Sequence, residues 1–145
     1  MWLIDTNVVS ELGKPKPDRN VTQFLAEQDF QKLFLSSVTV GEIRFGISRI
    51  DDTLKREQRA LWLESTVRPL FGGKVIDIGE NEVLRWRLLV DYGKKTGHTF
   101  SQPDLFIAAT ALSHSLTLVT RNVRDFMATE IPVLNPWTGE RFNEA

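Results

Sequence analysis

Short apolar runs alternate along this chain with longer segments that carry apolar residues at helical spacing. The runs cover residues 2–5, 33–35, 75–78, 117–120 and 132–134. Runs of this length, bounded by polar or turn-forming residues, are typical of buried strands. Strands that are separated by helices favour a parallel sheet with helices on both faces. The pattern therefore predicts an α/β fold with a mostly parallel central sheet.

Helices are predicted between the runs, and punctuating residues set their ends. They cover about residues 5–12, 18–25, 39–43, 53–69, 80–95, 101–112 and 123–127. Residues 13–17 contain glycine and two prolines and end the first helix. Ser101 followed by Pro103 is a strong helix start. Val83, Trp86, Leu89 and Val90 form the apolar stripe predicted for the helix at 80–95.

Length and composition restrict the class of protein. The chain has 145 residues, of which 41% are hydrophobic and 26% are charged, which is typical of one globular domain. It has no cysteine, which excludes zinc ribbons, thiol catalysis and disulfide scaffolds. The formal net charge is −1, so any contact with phosphate requires a local basic patch or a metal ion.

The first residues and the hydropathy indicate the compartment. The sequence begins without a basic region and reaches an acidic residue at Asp5, which is unlike a secretory signal peptide. No run approaches the roughly 18 apolar residues that a membrane span needs. We therefore expect a cytoplasmic protein without a membrane segment.

Acidic residues lie at the end of a predicted strand or in the first turns of predicted helices. Asp5 ends the first strand, Glu42 lies in the helix after the second strand, and Asp104 lies in the first turn of the helix at 101–112. Thr120, Asn122 and Asp125 follow the strand at 117–120. Functional sites of parallel α/β sheets lie beyond the carboxyl ends of the strands. We therefore expect these side chains, which are distant along the chain, to meet at one edge of the sheet.

A cluster of carboxylates indicates a metal site. Carboxylates that are packed together repel one another, and a divalent cation relieves that repulsion. Oxygen ligands without cysteine favour Mg²⁺ or Mn²⁺, and such an ion can bind a phosphate oxygen and acidify a water. The predicted chemistry is metal-assisted hydrolysis of a phosphodiester. Each acid alone has another reading, because Asp5 and Asp104 could cap helices while Glu42 and Asp125 could be ordinary helix residues.

Five sequence blocks resemble the PIN domain. They are LIDTN at 3–7, SVTVGEIRFG at 37–46, DLFIAATA at 104–111, LVTRNVRDF at 118–126 and VLNPW at 133–137. The last block is similar to the FitB-like branch of VapC-type toxins. The resemblance implies a PIN-like α/β/α sandwich over residues 1–137. The polar residues 138–145 are then predicted to form a loose C-terminal tail.

The resemblance also implies an activity and a set of site residues. The activity is that of a Mg²⁺- or Mn²⁺-dependent ribonuclease, the toxin of a type II toxin–antitoxin pair. By motif, Asp5, Glu42 and Asp104 match the three principal metal-site acids. Some relatives carry aspartate where this chain has Asn122. Asp125 is then the remaining acid of that block, so either residue could take the fourth position.

Several further residues are expected to support the site. Thr6, Asn7, Thr120 and Asn122 are predicted to hold the acids in place. Arg121 and Arg44 are candidate contacts to RNA, although a solvated helix surface is the competing interpretation of the basic residues from 44 to 68. His98 and His114 are expected to be surface residues.

Partners follow from the same resemblance. Relatives are neutralised by an antitoxin that places a basic side chain among the acids and that also binds operator DNA. A homodimer or a larger toxin–antitoxin assembly is expected. The alternative is a PIN scaffold that acts mainly in complex with its antitoxin on operator DNA, with weak or no cleavage. A phosphatase of the haloacid-dehalogenase type is disfavoured because Asn7 stands where it needs a second aspartate.

Overall fold

A computed structural model describes residues 1–144 and shows a sheet of six strands in the order β3-β2-β1-β4-β5-β6. The strands are β1 (Trp2–Ile4), β2 (Leu33–Ser36), β3 (Val75–Ile76), β4 (Thr117–Val119), β5 (Val133–Leu134) and β6 (Arg141–Phe142). Strands β1 to β5 are parallel to one another, and β6 runs antiparallel to β5. The predicted mostly parallel sheet is confirmed.

The helices lie between the strands in the order that the sequence predicts. They are α1 (Thr6–Leu12), α2 (Arg19–Glu27), α3 (Ser37–Ser48), α4 (Thr53–Trp62), α5 (Arg68–Phe71), α6 (Glu80–Thr96), α7 (Gln102–His114) and α8 (Val123–Phe126). A π-helical segment, Leu63–Val67, joins α4 to α5, and short 3₁₀ turns cover Phe30–Lys32 and Met127–Thr129. None of the helices within residues 1–144 is long and apolar enough to span a membrane.

Two hydrophobic cores cover the two faces of the sheet. Ile4 and Val119 point into the core that α1 to α5 complete, whereas the neighbouring residues Leu3 and Leu118 point into the core of α6, α7 and α8. Successive strand residues alternate between faces, so adjacent apolar residues serve opposite cores. This explains the continuous apolar runs and gives the α/β/α layering.

Strand register brings the ends of β1 and β4 together. Ile4 is paired with Val119, and the Asp5 amide donates a hydrogen bond to the Val119 carbonyl at 3.0 Å. The next residue on each strand, Asp5 and Thr120, therefore leaves the sheet at the same edge. The parallel pairing of β1 with β2 brings the start of α3 to this edge as well.

Several predicted element boundaries are wrong. Helix α3 begins at Ser37 rather than Thr39, because the Ser36 hydroxyl caps it by accepting from the Val38 amide at 3.1 Å. Strand β3 ends at Ile76 rather than at residue 78. The predicted helix at 53–69 continues through the π-helical segment to Phe71.

The prediction of a loose tail is wrong for Arg141–Phe142. These residues form β6 against β5, and the Phe142 side chain packs on the core below α6 and α7. The Asn135 amide donates a hydrogen bond to the Glu140 carbonyl at 2.9 Å and closes a turn that reverses the chain. Gly139 adopts a φ of 80° in this turn. The open edge of β5 and one apolar residue in a polar stretch are enough to order the segment.

One side-chain prediction is also wrong. Val83 of the predicted stripe on α6 is 46% exposed, whereas Leu89 of the same stripe is buried. The predicted surface positions of His98 and His114 are confirmed, and the exposed His114 places its Nε2 2.7 Å from Oε1 of the buried Glu82. That pair ties the end of α7 to the first turn of α6.

Candidate functional site

Asp5 lies directly after β1 and is the most enclosed acid of the site, with 4% of its surface exposed. Its carboxylate accepts from the Thr6 amide at 2.7 Å, the Thr120 hydroxyl at 2.8 Å and the Asn7 side-chain amide at 3.2 Å. Burial raises the pKa of Asp5, and the nearby Asp104 carboxylate adds to that rise, although the three hydrogen bonds oppose it. Asp5 therefore caps α1 and also faces a second acid.

A hydrogen-bond network around Thr120 holds Asp5 in place. The fully buried Thr120 hydroxyl donates to Asp5 and accepts from the Asn7 side chain at 3.0 Å and the Asn122 amide at 3.1 Å. Asn7 in turn accepts from the Arg121 amide at 3.0 Å. The network joins the end of β1 to the end of β4, so residues more than a hundred positions apart orient one carboxylate.

Asp104 occupies the first turn of α7 and faces the other acids. Its backbone amide donates to the Ser101 hydroxyl at 3.3 Å, so Ser101 caps the helix as expected. Burial raises the pKa of Asp104, and repulsion from Asp125 and Glu42 raises it further, against the effect of the Ser101 hydroxyl. Asp104 is thus electrostatically coupled to all three other candidate acids.

Glu42 and Asp125 border the site at two different cavities. Glu42 is exposed on α3 and lines a cavity of about 220 Å³ together with Thr6 of α1. Asp125 is exposed in the first turn of α8 and lines a second cavity of about 430 Å³ together with Asp104. Four elements of the fold thus contribute the predicted acids to one edge of the sheet.

The donor set has the chemistry of a Mg²⁺ or Mn²⁺ site, but its carboxylates do not close around one point. Within residues 1–144, no three histidine, aspartate or glutamate side chains are grouped closely enough to hold one ion directly. Mg²⁺ often takes only one or two carboxylates and keeps several waters. The mutual repulsion at Asp5 and Asp104 is what a cation would relieve, so the donor chemistry fits the ion.

The two arginines predicted to contact RNA have different surroundings. The Arg121 guanidinium lies over the Trp137 ring, 5.0 Å from its centroid, and the Arg121 backbone belongs to the network of Asp5. Arg44 is exposed on α3, two residues after Glu42. Of the other basic residues between 44 and 68, Arg59 donates to the Gly13 carbonyl at 3.0 Å, which gives it a structural role.

The sequence interpretation missed two residues beside Asp104 and Asp125. Phe100 and Arg124 line the same 430 Å³ cavity as these two acids. Phe100 directly precedes the Ser101 cap of α7, and Arg124 directly precedes Asp125. Their position next to the candidate acids is the signal that would have identified them.

Comparison with known proteins places this arrangement among characterised folds. A family model described as PIN domain matches residues 2–130. Toxin FitB of Neisseria gonorrhoeae is 35% identical over 137 residues, covering 94% of this chain and 99% of that protein. VapC ribonuclease Y4jK of Sinorhizobium fredii is 34% identical over 137 residues, covering 94% of this chain and 98% of that protein.

Comparison with solved structures agrees with the comparison of sequences. The crystal structure of FitAcB from Neisseria gonorrhoeae contains a chain similar to this one, with a TM-score of 0.89 at 35% identity. The match covers 94% of this chain and 99% of that chain. A structure of FitAB bound to an IR36 DNA fragment matches with a TM-score of 0.88 at 34% identity, covering 94% of this chain and 96% of that chain.

Proposed function

Because this chain belongs to the PIN-domain family, in the group that includes toxin FitB and the VapC ribonucleases, we propose that it is a metal-dependent ribonuclease toxin. It hydrolyses phosphodiester bonds of RNA with Mg²⁺, or alternatively Mn²⁺, as cofactor. The observation that supports this most strongly is the electrostatic coupling of Asp104 to the acids around it. Burial and this repulsion together raise the pKa of Asp5 and Asp104.

Asp5, Glu42 and Asp104 would hold the ion, with Asp125 as the remaining acid at the edge of the site. The ion, when bound, neutralises charge on a phosphate oxygen and lowers the pKa of an attacking water. The protein's own contribution is to orient the carboxylates. The Thr120 hydroxyl and the Asn7 side chain fix Asp5, and the Ser101 cap fixes the first turn of α7.

Positively charged groups at the same edge would attract the RNA backbone. The Arg121 backbone amide belongs to the hydrogen-bond network around Asp5, and the Arg121 guanidinium lies over the Trp137 ring. A guanidinium that stacks on an aromatic face keeps the N–H groups in its own plane free to bind phosphate. Arg44 would add a contact on the side of Glu42. Local charges of this kind are needed because the chain has a net charge of −1.

An antitoxin is the proposed protein partner, and operator DNA would be contacted only through it. The DNA fragment in the solved structure of FitAB supports this proposal. Exposed apolar side chains of this chain support contact with further subunits. On α3 and α4 they are Phe45, Leu54 and Leu61, and on α6 they are Val83, Leu84, Leu88 and Tyr92. A homodimer or a larger toxin–antitoxin assembly would cover both faces.

The test uses protein purified free of antitoxin and incubated with transfer, ribosomal and messenger RNA. Discrete fragments are expected with Mg²⁺ or Mn²⁺ and none with a chelator. Asp5→Asn and Glu42→Gln should each slow cleavage by about 100-fold or more, because loss of a ligand costs at least as much as loss of its supporting groups. Glu57→Gln, the same change on the exposed surface of α4, should cleave like the wild type. Wild-type cleavage by Asp5→Asn would overturn the assignment.

The alternative, a PIN scaffold that acts mainly in complex, is favoured by one observation. No three acids within residues 1–144 are grouped closely enough to hold an ion directly. The same experiment separates the two functions. A protein that binds antitoxin and metal yet cleaves no class of RNA would be the binding module.

A further inference from the structure

The cavity beside Asp104 and Asp125 combines three kinds of side chain. Its volume is about 430 Å³, within the range of small-ligand sites. The loop between α6 and α7 contributes His98 and Phe100 to one wall, and the exposed Arg124 of α8 contributes a cation. The two acids contribute negative charge. The cavity therefore offers an aromatic surface and a cation directly next to the candidate metal site.

The end of α6 positions the aromatic wall. The His98 amide donates to the Gly93 carbonyl at 2.9 Å, and Gly97 adopts the left-handed conformation at φ 76° that this helix ending requires. A Cβ atom at position 93 would lie 2.9 Å from the His98 carbonyl oxygen and 3.3 Å from the Phe100 ring. The absence of a side chain at Gly93 thus lets the loop and Phe100 pack directly on the helix.

This combination matches the chemistry of a nucleotide. A flat aromatic ring binds nucleobases by stacking, and stacking tolerates different bases because each has a π face. An arginine binds phosphate. The His98 and Phe100 rings lie 6.1 Å apart at 30° and both residues line the cavity, so its wall contains two adjacent rings. An inorganic anion alone would make no use of these rings, and a purely apolar ligand would make no use of Arg124.

We propose that this cavity binds the nucleobase next to the scissile phosphate of the RNA, with Phe100 as its stacking surface. Arg124 contacts a neighbouring phosphate. This inference rests on the proposed ribonuclease function and adds a requirement on the substrate. A base within a duplex is already stacked and paired, so it cannot enter the cavity.

The first test replaces Phe100 with other large side chains. Phe100→Leu keeps apolar contact with α6 but removes the aromatic face, and Phe100→Tyr keeps that face. Phe100→Leu should lower kcat/KM on a single-stranded oligoribonucleotide by roughly 5- to 150-fold, the range of base–aromatic stacking, whereas Phe100→Tyr should stay near the wild type. Phe30→Leu is the matched control, because Phe30 is 52% exposed at the opposite end of β2. Equal cleavage by Phe100→Leu and the wild type would overturn the proposal.

A second substrate tests the contact itself. An oligonucleotide that lacks the base beside the cleaved bond should be cleaved poorly by the wild type, and the penalty of Phe100→Leu should shrink on it. If the losses from the substitution and from the missing base simply multiply, Phe100 does not contact that base.

A binding measurement separates this proposal from the ribonuclease assignment. With Asp5→Asn, an oligonucleotide that carries 2-aminopurine at the same position should show quenched fluorescence on binding, and Phe100→Leu should remove the quenching. Quenching without cleavage by any form would overturn the ribonuclease function alone. Cleavage by the wild type without quenching would overturn the cavity alone.

Arg124→Gln provides a variant that does not disturb a packed residue, because Arg124 is exposed. It should weaken binding of the same oligonucleotide and reduce the slope of log affinity against log salt by about 1. An unchanged affinity and slope would contradict the phosphate contact, even if the Phe100 variants failed to fold.

Discussion

The carboxyl of Asp104 resists ionisation in the folded protein. Its pKa is raised from the ordinary value of 3.8, first by burial and then by the charges of Asp125 and Glu42. As pH rises above that value, the unfolded chain loses its proton before the folded protein does. The free energy of unfolding therefore falls through this interval, and the loss remains at neutral pH. Without metal, Asp104 destabilises the fold at pH 7, and this destabilisation is lost only as the pH falls well below 3.8.

Asp104→Asn should accordingly stabilise the metal-free protein at neutral pH. In the presence of a chelator, we expect its Tm at pH 7 to exceed that of the wild type, on the order of 2 °C. The difference should shrink as the pH falls through 3.8 and disappear well below it, because both states then carry the proton. Thermal unfolding followed by circular dichroism across this pH range gives the comparison.

Glu80→Gln is the control for the Asp104 substitution. Glu80 is also an acid in the first turn of a helix, α6, but it is exposed. Removing its charge should lower stability slightly, because acids at a helix N-terminus are favourable. A lower Tm for Asp104→Asn at pH 7 would mean that the helix effect outweighs the repulsion at the site.

The contact between α6 and α7 decides where the aromatic wall and Asp104 lie relative to each other. Trp86 of α6 and Phe106 of α7 stack at 5.3 Å with their planes 7° apart, and the Trp86 indole donates to the Gln102 side chain at 2.9 Å. At the other end of α6, Gly93 allows the connecting loop to fold back. The sequence predicts both helices but contains no signal that they pack this closely.

Gly93→Ala tests that close approach. Alanine favours a helix by about 1 kcal/mol over glycine, but here its Cβ would lie 2.9 Å from a carbonyl oxygen. We expect a net loss of about 1–3 kcal/mol, as overpacking typically gives, measured by denaturant unfolding. Gly41→Ala on α3, whose Cβ would meet nothing within 4 Å, should instead gain stability. A stabilised Gly93→Ala protein would show that the loop moves at no cost.

At the scale of the whole molecule, the sheet joins segments that lie far apart along the chain into one acidic edge. Strands β1 and β4 are paired. Just beyond their ends, Asn7 and Thr120 are hydrogen-bonded although 113 positions separate them along the chain. The carboxylates that meet there repel one another in the absence of a cation. Metal binding should therefore stabilise the entire fold, because the site exists only in the folded chain.

Mg²⁺ should raise the Tm of the wild type by mass action. At ten times its dissociation constant it would add about 1.4 kcal/mol to the free energy of unfolding, which is roughly 3–6 °C for a chain of this size. Calorimetry in Mg²⁺ and in NaCl at the same ionic strength separates the rise in Tm that is specific to Mg²⁺ from the general effect of salt. The double variant Asp5→Asn, Asp104→Asn should show no such rise, and an equal rise would mean that the ion binds elsewhere.

The order of the elements and the identity of the candidate acids follow from the amino-acid sequence alone. Apolar runs and helix caps such as Ser101 depend on neighbours within a few residues, and such local signals can be read directly. The parallel sheet then follows from the alternation of strands and helices. Asp5 could be proposed for the same reason, because it ends a predicted strand. Asp104 could be proposed because Ser101 and Pro103 mark the start of its helix.

How these residues meet depends on the packing of the folded chain. Three contacts join segments in a way that depends on register and packing. They are the hydrogen-bond network of Thr120, the packing of Phe100 against Gly93 and the pairing of β6 with β5. Hydrophobic pattern constrains which face of a strand is buried, but it does not set the distance between two side chains on different elements. That distance is fixed by close packing of the whole core, and so are the pKa shifts at Asp5 and Asp104.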